Sequence, residues 1–241
     1  MRSHDATNPD IADPLRRIAL HSQLRVYTEQ LIKITEAGRN PTDLGRVYYN
    51  IASVHEELDR LEEAEVYCRA AAYSFELVDE PEEEAQAWLQ VGVLRAYLGF
   101  VLIEPVQDAF ERSRRAAKRA DNYLLQAQAI HHLGRLKQEQ GDWAGALTDF
   151  ESALYFVSPL IKSDDDSEAV TLHHYILEGI GAVQLAQLLR RARELAERTN
   201  QDAETPNTAP GDPPTRPLPP PLPSDARSSQ GSRFWWWRRR R

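Results

Sequence analysis

Residues 130–159 read Ile130-His131-His132-Leu133-Gly134-Arg135-Leu136-Lys137, then Gly141-Asp142-Trp143, then Ala146-Leu147-Thr148-Asp149-Phe150-Glu151-Ser152-Ala153, and close at Pro159. Apolar or small residues recur at steps of three and four on both sides of Gly141-Asp142, which is the pattern of two helices joined by a tight turn. The small residues Gly134, Ala146 and Ala153 let two antiparallel helices approach closely, and the large ones fill the space between them.

The pattern occurs twice more upstream. One copy is Tyr48-x2-Ile51-Ala52-x2-His55 followed by Ala64-x3-Cys68-x2-Ala71. The thirteen-residue step from Leu133 to Ala146 recurs there from Ile51 to Ala64. The middle copy is Trp88-x2-Val91-Gly92-x2-Arg95 followed by Ala109-x3-Ser113-x2-Ala116, with about five residues added around Phe100–Pro105. These residues resemble the tetratricopeptide repeat (TPR) family over roughly residues 45–159. Ala52, Gly92 and Gly134 are 40 and 42 residues apart, so the likeness is to the longer 40–42-residue type, similar to the repeats of kinesin light chains and mitotic-spindle adaptor proteins. The resemblance implies an all-α fold, a right-handed superhelical stack of antiparallel helix hairpins. About three repeats (45–80, 85–120 and 127–159) would be closed by a capping helix over 167–199. There Leu177-x2-Ile180-Gly181 imitates a first helix, and the amphipathic Leu185–Ala196 stretch covers the final apolar face.

Working outward, Asp13-Pro14 predicts a helix start, followed by the apolar stripe Leu15, Ile18, Leu24, Tyr27, Leu31 and Ile34 up to Gly38. Further helices are expected from the Asn40-Pro41 turn through Leu58, and over 60–78, 82–98, 105–120, 122–140, 142–157 and 167–199. The domain reading is a flexible 1–12, a helical repeat domain over 13–199, a Pro-rich disordered linker over 200–232 and a Trp/Arg-rich tail over 233–241. Six of the 15 prolines lie in the first 200 residues, at positions where helices begin or end, and nine lie in 200–233. That second segment has too few apolar residues to offset the entropy of folding. Its Arg216-Pro-Leu-Pro-Pro-Pro-Leu-Pro223 is read as a semi-rigid spacer.

The net charge of −8 hides an asymmetry. Residues 1–200 carry 22 Lys/Arg against 33 Asp/Glu, net −11, whereas 201–241 carry seven Arg against four acids, net +3. An acidic body disfavours nucleic acid as partner, since that binding needs phosphate neutralisation. One cysteine, Cys68, leaves no internal disulfide and is read as a small buried apolar side chain. The N-terminus lacks the apolar core of a signal peptide and no run has the length of a membrane span, which predicts a cytoplasmic chain.

The chemistry-bearing motifs are missing. There is no Gly-rich phosphate loop, Gly-x-Ser-x-Gly elbow or His-Glu-x-x-His pair. His131-His132 and His173-His174 are helix neighbours pointing about 100° apart, unable to chelate one ion. Asp164-Asp165-Asp166 lacks the alternating ligands of a calcium loop and is read as a solvated approach to a helix start. Glu62-Glu63 and Glu82-Glu83-Glu84 sit where a helix N-terminus favours acids. The chain is therefore expected to be a binding scaffold and not an enzyme, with no cofactor, no metal and no small-molecule substrate.

The resemblance implies that the first helices of successive hairpins line a groove for a peptide or helix of a protein partner. Projected onto this chain, the groove residues are Arg46, Tyr49, Asn50, Ser53 and Glu57, then Gln86, Leu89, Gln90 and Tyr97, then Gln128, His131, Arg135 and Gln138. The positions matching the family's clamp for a C-terminal carboxylate are Tyr49, Ser53, Gln90, Gln128 and His132, nearly devoid of cations, so a polar or amphipathic segment is the expected occupant.

The chain closes on Arg233-Phe234-Trp235-Trp236-Trp237-Arg238-Arg239-Arg240-Arg241. Trp favours the membrane–water interface and each Arg near an anionic bilayer contributes about 1 kcal/mol. A peripheral membrane contact is thus expected of the tail, with docking on its own body or another protein, and contact with nucleic acid as a nucleic-acid-associated regulator, as the rival readings.

Overall fold

In the computed structural model the described residues are 9–38, 40–99, 103–161 and 168–204, with side chains described within 14–199. They form α1 (Pro9–Glu36), α2 (Pro41–Glu57), α3 (Leu61–Glu76), α4 (Pro81–Tyr97), α5 (Glu104–Arg119), α6 (Tyr123–Glu139), α7 (Trp143–Val157), a short 3-10 turn (Ser158–Leu160) and α8 (Glu168–Glu204). No strand occurs among the described residues. The fold is the expected all-α stack of helix hairpins. Helix α1 begins at Pro9, ahead of the Asp13-Pro14 start, and α8 runs past residue 199. The Pro-rich linker, the Trp/Arg tail and the Asp164–Asp166 run lie outside the described residues.

Two compact units divide the chain, Met1–Gln187 and Leu188–Arg241. In the first, each helix from α1 to α7 packs on the next, and α4 also meets α6. The turns share one device. Asp59, Asp79, Asp121 and Gly141 each hold a positive φ, and the following amide donates five residues back: Arg60 to His55 at 2.9 Å, Glu80 to Phe75 at 3.1 Å, Asn122 to Ala117 at 3.0 Å and Asp142 to Lys137 at 2.9 Å. This closes the last orphan carbonyls of each helix and reverses the chain in two or three residues. After the last two of these turns the next helix is capped by a side chain: Asn122 accepts from the Leu125 amide at 3.0 Å and Asp142 from that of Gly145 at 2.9 Å.

Packing rests on glycines of the first helices facing phenylalanines. A Cβ on Gly45, Gly92 or Gly134 would lie 2.7, 2.5 or 2.9 Å from the ring of Phe75, Phe110 or Phe150 respectively. Each buried ring contributes about 1.5–3 kcal/mol relative to exposure. The ring positions differ from the repeat register expected. In the middle hairpin Phe110 fills the gap, while Ser113, fully buried, donates to the Ala85 carbonyl at 2.8 Å. In the first hairpin the glycine is Gly45, two turns before Ala52. Cys68 is buried with Ala64, Ala71 and Trp88, as the sequence predicts.

The cap needs correction. Ala169, Leu172, Ile176 and Val183 of α8 join the core of α6 and α7. A Cβ on Gly179 would lie 2.9 Å from the Phe150 ring, whereas one on Gly181 would have nothing within 4 Å. Leu185, Leu188, Leu189 and Leu195, expected to cover the final apolar face, are 58–63% exposed. Their spacing carries them off the helix face that holds Leu172, Ile176 and Val183. At the other end Leu15 and Ile18 are likewise exposed, and Leu20 is buried among the described side chains of α1.

Candidate interaction face

Polar side chains bridge α2 to α4 and α6 to the start of α8, and α4 packs against α6. Gln90 of α4 donates to Glu56 of α2 at 2.6 Å, and Gln128 of α6 donates to Glu168 of α8 at 2.7 Å. Gln86 of α4 hydrogen-bonds the Tyr49 phenol of α2, whose pKa is pushed up to about 12, chiefly by burial and then by Cys68 and Glu56. Arg16 of α1 reaches Glu57 at 3.0 Å. Each amide uses one of its groups on a neighbouring helix, and Gln carries two donors and an acceptor.

Of the residues projected onto this face, Arg46, Asn50, Ser53, Glu57 and Gln86 are exposed, and Ser53 donates to the Tyr49 carbonyl at 3.1 Å. Tyr49, Leu89, Gln90, Tyr97, Gln128, Arg135 and Gln138 are half-buried. His131 differs: it is 3% exposed, with its ring 5.7 Å from that of Phe150 and 5.3 Å from that of His132. Burial, and then the Arg135 charge, push its pKa down to about 3. A neutral core imidazole has taken the place of the expected groove residue. His132 instead stacks on Phe110, at 4.8 Å.

Two features escaped the sequence reading because ion pairs between distant residues leave no local pattern. Arg95 and Glu65, both nearly buried, pair at 2.8 Å between α4 and α3, and Arg95 also donates to the Pro105 carbonyl at 2.9 Å. This bond anchors the start of α5 after the longer turn. The second is a recess of about 520 Å³ between α3, α4 and α5, lined by Glu76, Glu84, Arg112, Arg115, Lys118 and Arg119. Two of its four cations are paired within the fold. Arg119 bonds the buried Glu84, whose carboxyl burial raises against that pairing, and Arg112 bonds Asp108 at 2.8 Å while its guanidinium lies 4.8 Å from the Trp88 ring.

Among the described residues no cluster of His, Cys, Asp and Glu could hold a metal ion, and no helix is long and apolar enough to cross a membrane. The arrangement offers oriented amides, hydroxyls and a few charges along four adjacent helices, which suits recognition of a polar chain.

No protein-family model matches the chain. A protein named "43 kDa receptor-associated protein of the synapse", from Tetronarce californica, is 29% identical over 145 residues, which are 58% of this chain and 33% of that protein. The match thus spans about a third of that relative's length. Among solved structures, BtubC (BKLC) from P. vanneervenii has a TM-score of 0.55 at 19% identity, covering 88% of this chain and 90% of the other. That likeness is one of fold.

Proposed function

We propose that the chain is a non-enzymatic adaptor of tetratricopeptide type. Its α2–α4–α6 face binds a polar or amphipathic segment of a protein partner, and its Trp/Arg C-terminus holds it at the cytoplasmic face of a membrane while a complex is assembled or recruited. The observation that carries the reading is the row of Gln86, Gln90 and Gln128, each oriented by a neighbouring helix and each with hydrogen-bonding capacity left over. Preorganised side chains lose less entropy on binding, so such a row favours a bound chain over water. The name of the Tetronarce relative, a protein associated with a receptor, agrees with a role beside a membrane protein.

Photo-crosslinking tests the face. A benzophenone amino acid is placed in the full chain at Asn50 or Gln86, and for comparison at Arg114 or Tyr155 on the second helices. Crosslinks to one protein from the first pair and not the second are expected, lost when Asn50, Gln86 and Gln128 are changed together to Ala with helicity unchanged. Equal crosslinking from Arg114 and Tyr155 would move the binding surface to the opposite face.

A further inference from the structure

Helix α8 has two apolar faces. In the stack, Leu172, Ile176 and Val183 are buried while Leu177 and Leu185 are 45% and 58% exposed. Leu188, Leu189 and Leu195 continue the exposed set at helical spacing and are 61%, 63% and 62% exposed. At about 100° per residue, Leu188, Leu189, Ala192, Leu195, Ala196 and Thr199 share an arc of about 120°. Arginines border it on both sides, Arg193 beyond Leu189, and Arg191 and Arg198 beyond Leu195. The acids Glu194 and Glu197 lie deeper in the polar face, bonded to Arg190 at 2.9 Å and Arg193 at 3.0 Å.

This order of charge discriminates between occupants. Cations at the apolar border and acids away from it suit a helix lying flat in an anionic interface, where long Arg side chains reach headgroups while leucines enter the acyl boundary. A second copy of the helix fits poorly. With Leu188 and Leu195 at d and Ala192 at a, the flanking e and g positions are Leu189, Ala196, Arg191 and Arg198, so no acid meets an arginine across a two-stranded seam.

We propose that residues 188–199 of α8 lie on an anionic lipid surface through Leu188, Leu189 and Leu195, with Arg191, Arg193 and Arg198 meeting headgroup phosphates. This deepens the membrane reading of the Trp/Arg tail by adding a second, separate attachment. Two weak attachments on one chain bind far more tightly than either alone.

The test uses the full chain and vesicles of about three parts phosphatidylserine to seven of phosphatidylcholine, against phosphatidylcholine alone. One variant carries Leu188→Ser, Leu189→Ser and Leu195→Ser, positions exposed enough to leave the fold intact as checked by circular dichroism. Another carries Trp235→Ala, Trp236→Ala and Trp237→Ala. The leucine variant is expected to lower partitioning onto anionic vesicles by about tenfold or more, and to abolish what the tail variant retains. Changing Arg191, Arg193 and Arg198 to Gln in the tail variant is expected to reduce the salt-sensitive part of the binding that variant retains. If the leucine variant floats like wild type while the tail variant does not, the α8 proposal falls and the tail reading stands. The reverse result leaves α8 and removes the tail. Wild-type chain that ignores anionic vesicles overturns both. A wild-type dimer in sedimentation that the leucine change dissolves assigns the stripe to a second copy and overturns the proposal.

Discussion

The helices through Gln187 and the helical residues from Leu188 onward use the same alphabet of Leu, Ala, Arg, Glu and Gln, yet they end in opposite states. In the stack, Phe150 is fully buried between Gly134 and Gly179. In α8 from Leu188 onward, leucines stand about 60% exposed and the side-chain bonds among the described residues run only one turn along the helix, two of them ion pairs. Propensity and such pairs suffice to write a helix, each pair adding about 0.3–0.5 kcal/mol. A core needs a facing element with space shaped for the ring. The difference shows that leucine content alone does not mark a buried surface.

The sharpest way to break that contrast is truncation on both sides of it. Phe150→Ala is expected to cost about 3–5 kcal/mol because two glycine-lined gaps open at once. Leu195→Ala, at an exposed site, is expected to stay within about 0.5 kcal/mol of wild type. Urea unfolding followed by far-ultraviolet dichroism measures both. Equal losses would mean that α8 has a partner surface in the folded chain.

The pH dependence sharpens it at a polar core residue. His131 has a folded pKa lowered to about 3 from its ordinary 6.5. The unfolded chain therefore binds the proton first, and the stability present above pH 6.5 is lost as pH falls from there toward 3. The expected contribution to the slope grows from about 0.7 kcal/mol per pH unit at pH 6.5 to about 1.3 at pH 5, and His131→Gln is expected to remove it. An unchanged slope in that variant would place the ring in contact with water.

A smaller loss than at Phe150 is expected at the turns. Gly141 has φ +81 with open space around its Cβ position, so Gly141→Ala meets backbone strain without a clash. About 1 kcal/mol is expected, seen as a melting shift of about 2–4 °C. Asp59, Asp79 and Asp121 occupy the same left-handed region, and replacing any of them by Gly is not expected to reproduce that loss.

Much of the fold was legible. Helix limits came within a few residues because Pro41, Pro81, Asn122, Asp142 and Gly38 act locally, through φ preference and side-chain caps, on residues two to four positions away. The close approach at Gly134 was legible for the same reason, since a glycine within an apolar helix face has few uses besides packing. The candidate face came from projecting the repeat resemblance onto the chain, and of its residues Asn50 and Gln86 are exposed while Gln128 is half-buried. His131 defeated the reading because one step of about 100° separates groove from core, and periodicity does not resolve which of two adjacent histidines turns inward.

What the sequence by itself determined is the all-α class, the hairpin count and the turn positions, all consequences of interactions within a few residues. Only the tertiary structure decided which phenylalanine meets which glycine, that Gly179 and not Gly181 closes the stack, that Arg95 and Glu65 pair, and that the α8 leucines are left open. Those outcomes depend on the angle and distance at which separate helices meet, and that geometry is a property of all the packed side chains together.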